Sequence, residues 1–196
     1  MFYLYNKKMK KLLLICSVAL FCTVTIFAQS PIPALAKSPM FMSTYPAGFG
    51  ILKIQDKVTE PLAARIIYSR PQKNNRAIFG GLVEYNKVWR FGANENTEIE
   101  FFTDVTINNI KVKKGRYSMF AIPTKEKWTL IINKDLNSWG EYKYEQSKDV
   151  LRVDAPVQTS TEIAEVFYIY FDKAKNGFAL NAGWDNVKII LPISMK

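Results

Sequence analysis

Residues 66–102 read IIYSRPQKNNRAIFGGLVEYNKVWRFGANENTEIEFF, and this stretch decides the fold. Its apolar residues repeat with a period of two. In Thr97–Thr103, Ile99 and Phe101 share one face, and Glu98 and Glu100 share the other. In Lys87–Phe91, Trp89 and Phe91 fall on one side, Val88 and Arg90 on the opposite side. Such alternation marks a strand with one buried face. Three arginines, Arg70, Arg76 and Arg90, sit on these otherwise apolar segments. A guanidinium rarely leaves water without a carboxylate or another acceptor in reach. The stretch therefore either braces a fold with internal ion pairs or lines a site for an anion.

Working outward, short strands continue in both directions. Leu62–Ser69 places Leu62, Ala64, Ile66 and Tyr68 on one face. Val105–Val112, Arg116–Ile122, Trp128–Asn133, Asp149–Val153, Ala164–Asp172, Phe178–Ala182 and Val187–Ile193 read as further strands. Ala174-Lys175-Asn176-Gly177 predicts a hairpin turn, because Asn-Gly favours the turn types that suit twisted strands. Segments of about 5–9 residues between Gly, Asn and Pro signals indicate an all-β fold. The expectation is a single antiparallel β-sandwich over residues 50–196, jelly-roll or immunoglobulin-like. At most one short helix is expected, near Leu136–Lys143. Residues 29–49 hold four prolines and read as a lead-in.

The first 28 residues predict a signal peptide. Lys7, Lys8, Lys10 and Lys11 precede an uncharged, mostly apolar run from Leu12 to Ala28. Cleavage is expected after Ala28, or after Ala36, where Ala34-Leu35-Ala36 has small-x-small spacing. An uncleaved anchor is the alternative, and it would be the chain's only membrane contact. Either way the domain is exported, to the periplasm or the extracellular space. Cys16 and Cys22 both lie inside the apolar run, so the exported part has neither thiol nor disulfide.

The chain has no histidine. With both cysteines also confined to the N-terminal run, this excludes Ser-His-Asp and Cys-His catalysis and His- or Cys-ligated zinc. No Asp-rich calcium loop is present, so neither metal nor cofactor is expected. Net charge is +10, and removal of residues 1–28 leaves +6. The lysines are dispersed apart from Lys111, Lys113 and Lys114, which suit a solvated hairpin tip. Without a basic helix or arm, nucleic acid is not an expected partner.

Each candidate residue has a plain reading beside a functional one. Pro71 restricts Arg70 to extended geometry, which suits either a positioned cation or an ordinary strand exit. Gly80-Gly81 follows Phe79 and reads as a structural bend. If Trp89 and Phe91 enter the core, Arg90 points into a groove or solvent, with Glu95, Glu98 and Glu100 near in sequence to answer it. Asn94 and Glu95 stand in the polar loop 92–97, where a rigid scaffold would present them to a ligand. Ser118 has no base of a recognisable spacing and reads as a buried hydroxyl. Trp128, Trp139 and Trp184 read mainly as core, with a sugar-stacking platform as the alternative.

The blocks YSRP, R-x-IFGGLV-x-Y-x-KVWR-x-GANE-x-T, G-x-YS-x-F-x-IP, W-x-x-I-x-NK, WG-x-Y and DVLRV occur in this order between Leu62 and Ile193. In content and spacing the chain resembles domain-of-unknown-function family 2911. Glu84 stands where that family often has proline, and Phe91 where it often has a small polar residue. The resemblance implies export, usually in Gram-negative bacteria, and supplies no substrate. The reading is a non-catalytic binding or envelope-associated module for an anionic small molecule or a glycan. Its candidate site is Tyr68, Arg70, Arg76, Arg90, Asn94 and Glu95, with bidentate arginine recognition as the physical basis. The alternative is a carboxylate-dependent glycan hydrolase, pairing Glu95 with Glu98, Glu100 or Asp149 across a cleft.

Overall fold

Ten strands form two antiparallel sheets in a computed structural model that describes residues 33–195. The expected signal segment lies outside the described residues. The strands are β1 (Met40–Tyr45), β2 (Ala64–Ser69), β3 (Thr97–Phe101), β4 (Val105–Ile107), β5 (Ile110–Val112), β6 (Gly115–Pro123), β7 (Lys127–Asn133), β8 (Asp149–Pro156), β9 (Gln158–Ala174) and β10 (Gly177–Met195). The larger sheet runs β1-β2-β3-β6-β7-β8 and the smaller β5-β4-β10-β9. The protein is an all-β sandwich. Among the described residues, no helix is long and apolar enough to cross a membrane.

The period of two sets which face is buried. Ala64, Ile66 and Tyr68 on β2 face the core, as do Thr97, Ile99 and Phe101 on β3. The alternate residues form a charged ladder on the outside, where Arg65 pairs with Glu100 and Arg116 with Glu98. Cross-strand opposition of unlike charges supports this register. Between the sheets, Trp128 on β7 and Trp184 on β10 are completely enclosed. Trp89 stands among the rings of Phe79, Phe91, Trp128, Phe167 and Trp184. Tyr68 ties the sheets together, since its hydroxyl donates to the Ile169 carbonyl at 2.9 Å and accepts from the Ile169 amide at 2.8 Å.

Several local expectations change. The lead-in contributes β1 as an edge strand, and the helix α1 (Phe49–Ile54) follows it. No helix forms at 136–143. Asn137 and Gly140 there adopt left-handed φ of 58° and 66°, and backbone groups of this loop bond to residues 94 and 96 instead of to one another. Val105–Val112 is a hairpin rather than one strand, because Asn108 and Asn109 take positive φ at its tip. Asparagine tolerates that region. Residues 178–193 form one strand rather than two, bent by bulges around Asp185. Gly80-Gly81 is a tight bend, as expected, since a Cβ on Gly81 would lie 2.5 Å from the Ala77 carbonyl.

Candidate functional site

The site grows from Trp89-Arg90-Phe91. Trp89 bridges to Ala121 of β6 through paired backbone bonds of 2.7 and 2.9 Å, which extends the sheet beyond the end of β3. Trp89 and Phe91 both enter the core, so Arg90 is turned to the opposite side. Phe91 holds φ at +52°, a conformation unfavourable for a bulky residue. The left-handed cost is about 1–2 kcal/mol, against about 2–3 kcal/mol for complete burial of the ring. Burial therefore wins, and phenylalanine can stand where a small polar residue would be less strained. Thr97 fixes the turn by donating to the Phe91 carbonyl at 2.6 Å.

Arg90 is braced by Glu141. Nε donates to Oε2 at 2.8 Å, and Nη2 lies 3.4 Å from Oε1. Nη1 donates to the Asn94 carbonyl at 3.2 Å, and the Tyr142 ring lies 5.2 Å from the guanidinium carbon. Burial works against the cation. Hydrogen bonding to Glu141 and Tyr142 outweighs it, so the pKa is raised and the group stays charged. Gly140 makes room for this arrangement: a Cβ there would lie 2.8 Å from the guanidinium carbon. The expected partners Glu95, Glu98 and Glu100 do not answer Arg90. A strand carries Glu98 and Glu100 on the sheet's outer face, where Arg116 and Arg65 take them.

Two loops thus lock together. The Gly140 amide donates to the Asn94 carbonyl at 3.0 Å, and the Asn96 amide to the Ser138 carbonyl at 3.1 Å. Glu95 and Trp139 pair between them. Two hollows border this junction. The first hollow, about 310 Å³, is lined by Arg76, Trp89, Arg90, Asn94, Glu141 and Trp184 among others. The second, about 400 Å³, is lined by Met40, Glu95, Asn96, Glu98, Ser138 and Trp139 among others.

The candidate residues are accordingly divided. Arg76, Arg90 and Asn94 share the first hollow. Arg76 is exposed and has no carboxylate partner among the described residues. Its Nε donates to the Lys73 carbonyl at 2.9 Å and its Nη2 to the Gln72 carbonyl. Glu95 faces the second hollow. Arg70 lies apart, donating to the Phe167 carbonyl and stacked 4.9 Å over the Phe41 ring. Tyr68 is buried as the strut between sheets, and burial raises its pKa.

Of the acids proposed to pair with Glu95, only Glu98 shares its hollow. Glu98 accepts from the Asn137 amide and pairs with Arg116. Asp149 is engaged by Arg152, Tyr144 and Asn133. Among the described residues no group of three or more Asp, Glu, His or Cys is placed to hold a metal ion. Glu141, Gly140 and Asn96 were not singled out from sequence; the WG-x-Y block specifies Gly140, whereas Glu141 falls on its open position.

The family model described as "Protein of unknown function (DUF2911)" matches residues 53–193. No curated protein and no solved structure matches the chain.

Proposed function

The chain belongs to the DUF2911 family, and from that premise we propose that it is an exported, non-catalytic binding module that takes the acid group of an anionic small molecule or an acidic glycan. Arg76 carries this reading. Its guanidinium is held by two backbone carbonyls at the edge of the first hollow, with its charge unanswered by any carboxylate among the described residues. An arginine held this way keeps N–H donors free and loses little entropy on binding, which suits carboxylate or phosphate. Arg90 has a different role here. Glu141 already neutralises it, so it shapes the wall and supplies no net charge. The positive balance of the exported part favours approach of an anion. A binding module is preferred to a hydrolase because Glu98, the one acid sharing a hollow with Glu95, is held by Arg116 and a backbone amide.

Thermal melting in inorganic phosphate, glucuronate and oligogalacturonate tests the reading. At least one should raise the melting temperature, and the rise should shrink with added salt. Arg76→Gln should melt normally and lose the response. If no anion shifts the wild-type protein, or the variant responds equally, the reading fails. The mass of the mature N-terminus tests export separately: loss of residues 1–28 or 1–36 supports it, and an intact N-terminus leaves the anchor form.

A further inference from the structure

We infer that the second hollow is a binding site for a neutral saccharide ring, seated against Trp139 and hydrogen-bonded to Asn96. The key observation is Asn96. Asn96 borders this hollow and is only 6 % exposed, yet neither of its enclosed amide atoms has a hydrogen-bond partner among the described residues. Buried polar groups are nearly always paired, and leaving both ends of an amide unmade is unfavourable. Asparagine offers a donor and an acceptor together. A hydroxyl group answers both. An ammonium can only donate, and a carboxylate can only accept.

The rest of the hollow fits the same ligand. Trp139 is 56 % exposed, large and flat, although a tryptophan usually buries most of its surface. Such a ring offers an apolar platform for the C–H face of a sugar. Glu95, exposed and without an ion pair among the described residues, supplies acceptors for hydroxyl groups. Together with Glu98 it disfavours an anion. The scaffold is rigid: the Asn96 amide is bonded to Ser138, Ser138 Oγ donates to Asp135 at 2.8 Å, and Lys148 holds Asp135 at 2.8 Å. Hydrogen bonds from Lys148 and Ser138 lower the Asp135 pKa, which keeps that anchor charged. The Asn96 amide atoms are shut off from solvent, so a ring reaches them by displacing rim side chains. Met40, 57 % exposed at the rim, is the side chain that swings aside, while Trp139 stays as the platform.

This site shares no lining residue with the arginine hollow. The test titrates the full-length mature protein with cellotriose, chitotriose, maltotriose and mannotriose, following tryptophan fluorescence and melting temperature. At least one sugar should change both signals. Trp139→Ala, at an exposed position, should melt normally and bind that sugar at least about tenfold more weakly. Asn96→Leu should melt at or above the wild-type temperature without sugar and lose the sugar shift. The inference is overturned if none of the four sugars alters either signal, or if Trp139→Ala binds as tightly as wild type. Undiminished binding by a folded Asn96→Leu protein overturns the role given to Asn96; should that variant not fold, Trp139→Ala decides alone. Arg76→Gln should keep the sugar response, so loss of the anion response and loss of the sugar response are separately visible.

Discussion

Arg90 and Asn96 belong to one loop and have opposite surroundings. Arg90 donates to Glu141 and to the Asn94 carbonyl, and Gly140 leaves space for it. Asn96 is more deeply buried and its amide has no partner among the described residues. The charged group, which has more to lose from burial, is the one the fold satisfies. On the Arg90 side, the structure solves a stability problem internally. On the Asn96 side, an interaction is left open for something outside the fold. A charged residue in a hollow is thus a poor guide to a ligand until its partner is known.

The largest effect is expected at Arg90. Arg90→Ala leaves Glu141 without its partner in a site where the Arg90 side chain is 17 % exposed, while the Asn94 carbonyl keeps the Gly140 amide. The expected loss is about 3 kcal/mol by urea unfolding. A loss within about 0.5 kcal/mol would show that the brace contributes nothing. Gly140→Ala comes next. It adds a Cβ against the guanidinium and puts alanine at φ 66°, for an expected cost of about 2 kcal/mol. In an Arg90→Ala background that cost should fall to about 1 kcal/mol, because only the backbone term remains. Strict additivity would mean the two residues do not press on each other.

Arg76→Gln sharpens the contrast from the other wall of the same hollow. Its guanidinium is exposed and reaches only local carbonyls, so stability should change by no more than about 0.5 kcal/mol. The smallest effect lies away from both hollows, at Asp104. Its carboxyl is drawn from 3.8 to about 2, chiefly by the Lys114 amide; burial opposes this, and hydrogen bonds from Lys113 and Lys111 add to the lowering. The folded pKa is below the unfolded one, so this contribution is present above the unfolded value of 3.8 and is lost as pH falls through about 2. Asp104→Asn should therefore flatten the acid limb of melting temperature against pH between those two values. An unchanged limb would assign acid sensitivity to other carboxylates.

Much of the fold is legible in local pattern. Ile66 and Tyr68, then Ile99 and Phe101, declare their buried faces by alternation. Trp89 and Phe91 place Arg90 on the other side. Asn176-Gly177 announces its hairpin. The misses are of two kinds, a local turn read as continuous strand and contacts made between distant loops. Asn108-Asn109 turns a chain that reads as a continuous strand, and 136–143 stays non-helical because its backbone bonds are claimed by another loop. Glu141 lies 51 residues from Arg90, whereas the nearer Glu98 and Glu100 face away from it. Sequence distance ranks partners wrongly when strands sort their side chains by parity.

Sequence by itself determined the class of fold, the absence of imidazole chemistry and the face on which each strand residue falls. These depend on composition and on a period of two, and both are properties of the chain alone. The tertiary structure was needed to set which carboxylate answers Arg90, and that among the described residues Arg76 has none and the enclosed Asn96 amide has no partner. Those outcomes depend on which distant loops meet, because hydrogen bonds and ion pairs act over a few ångströms in space whatever their separation along the chain.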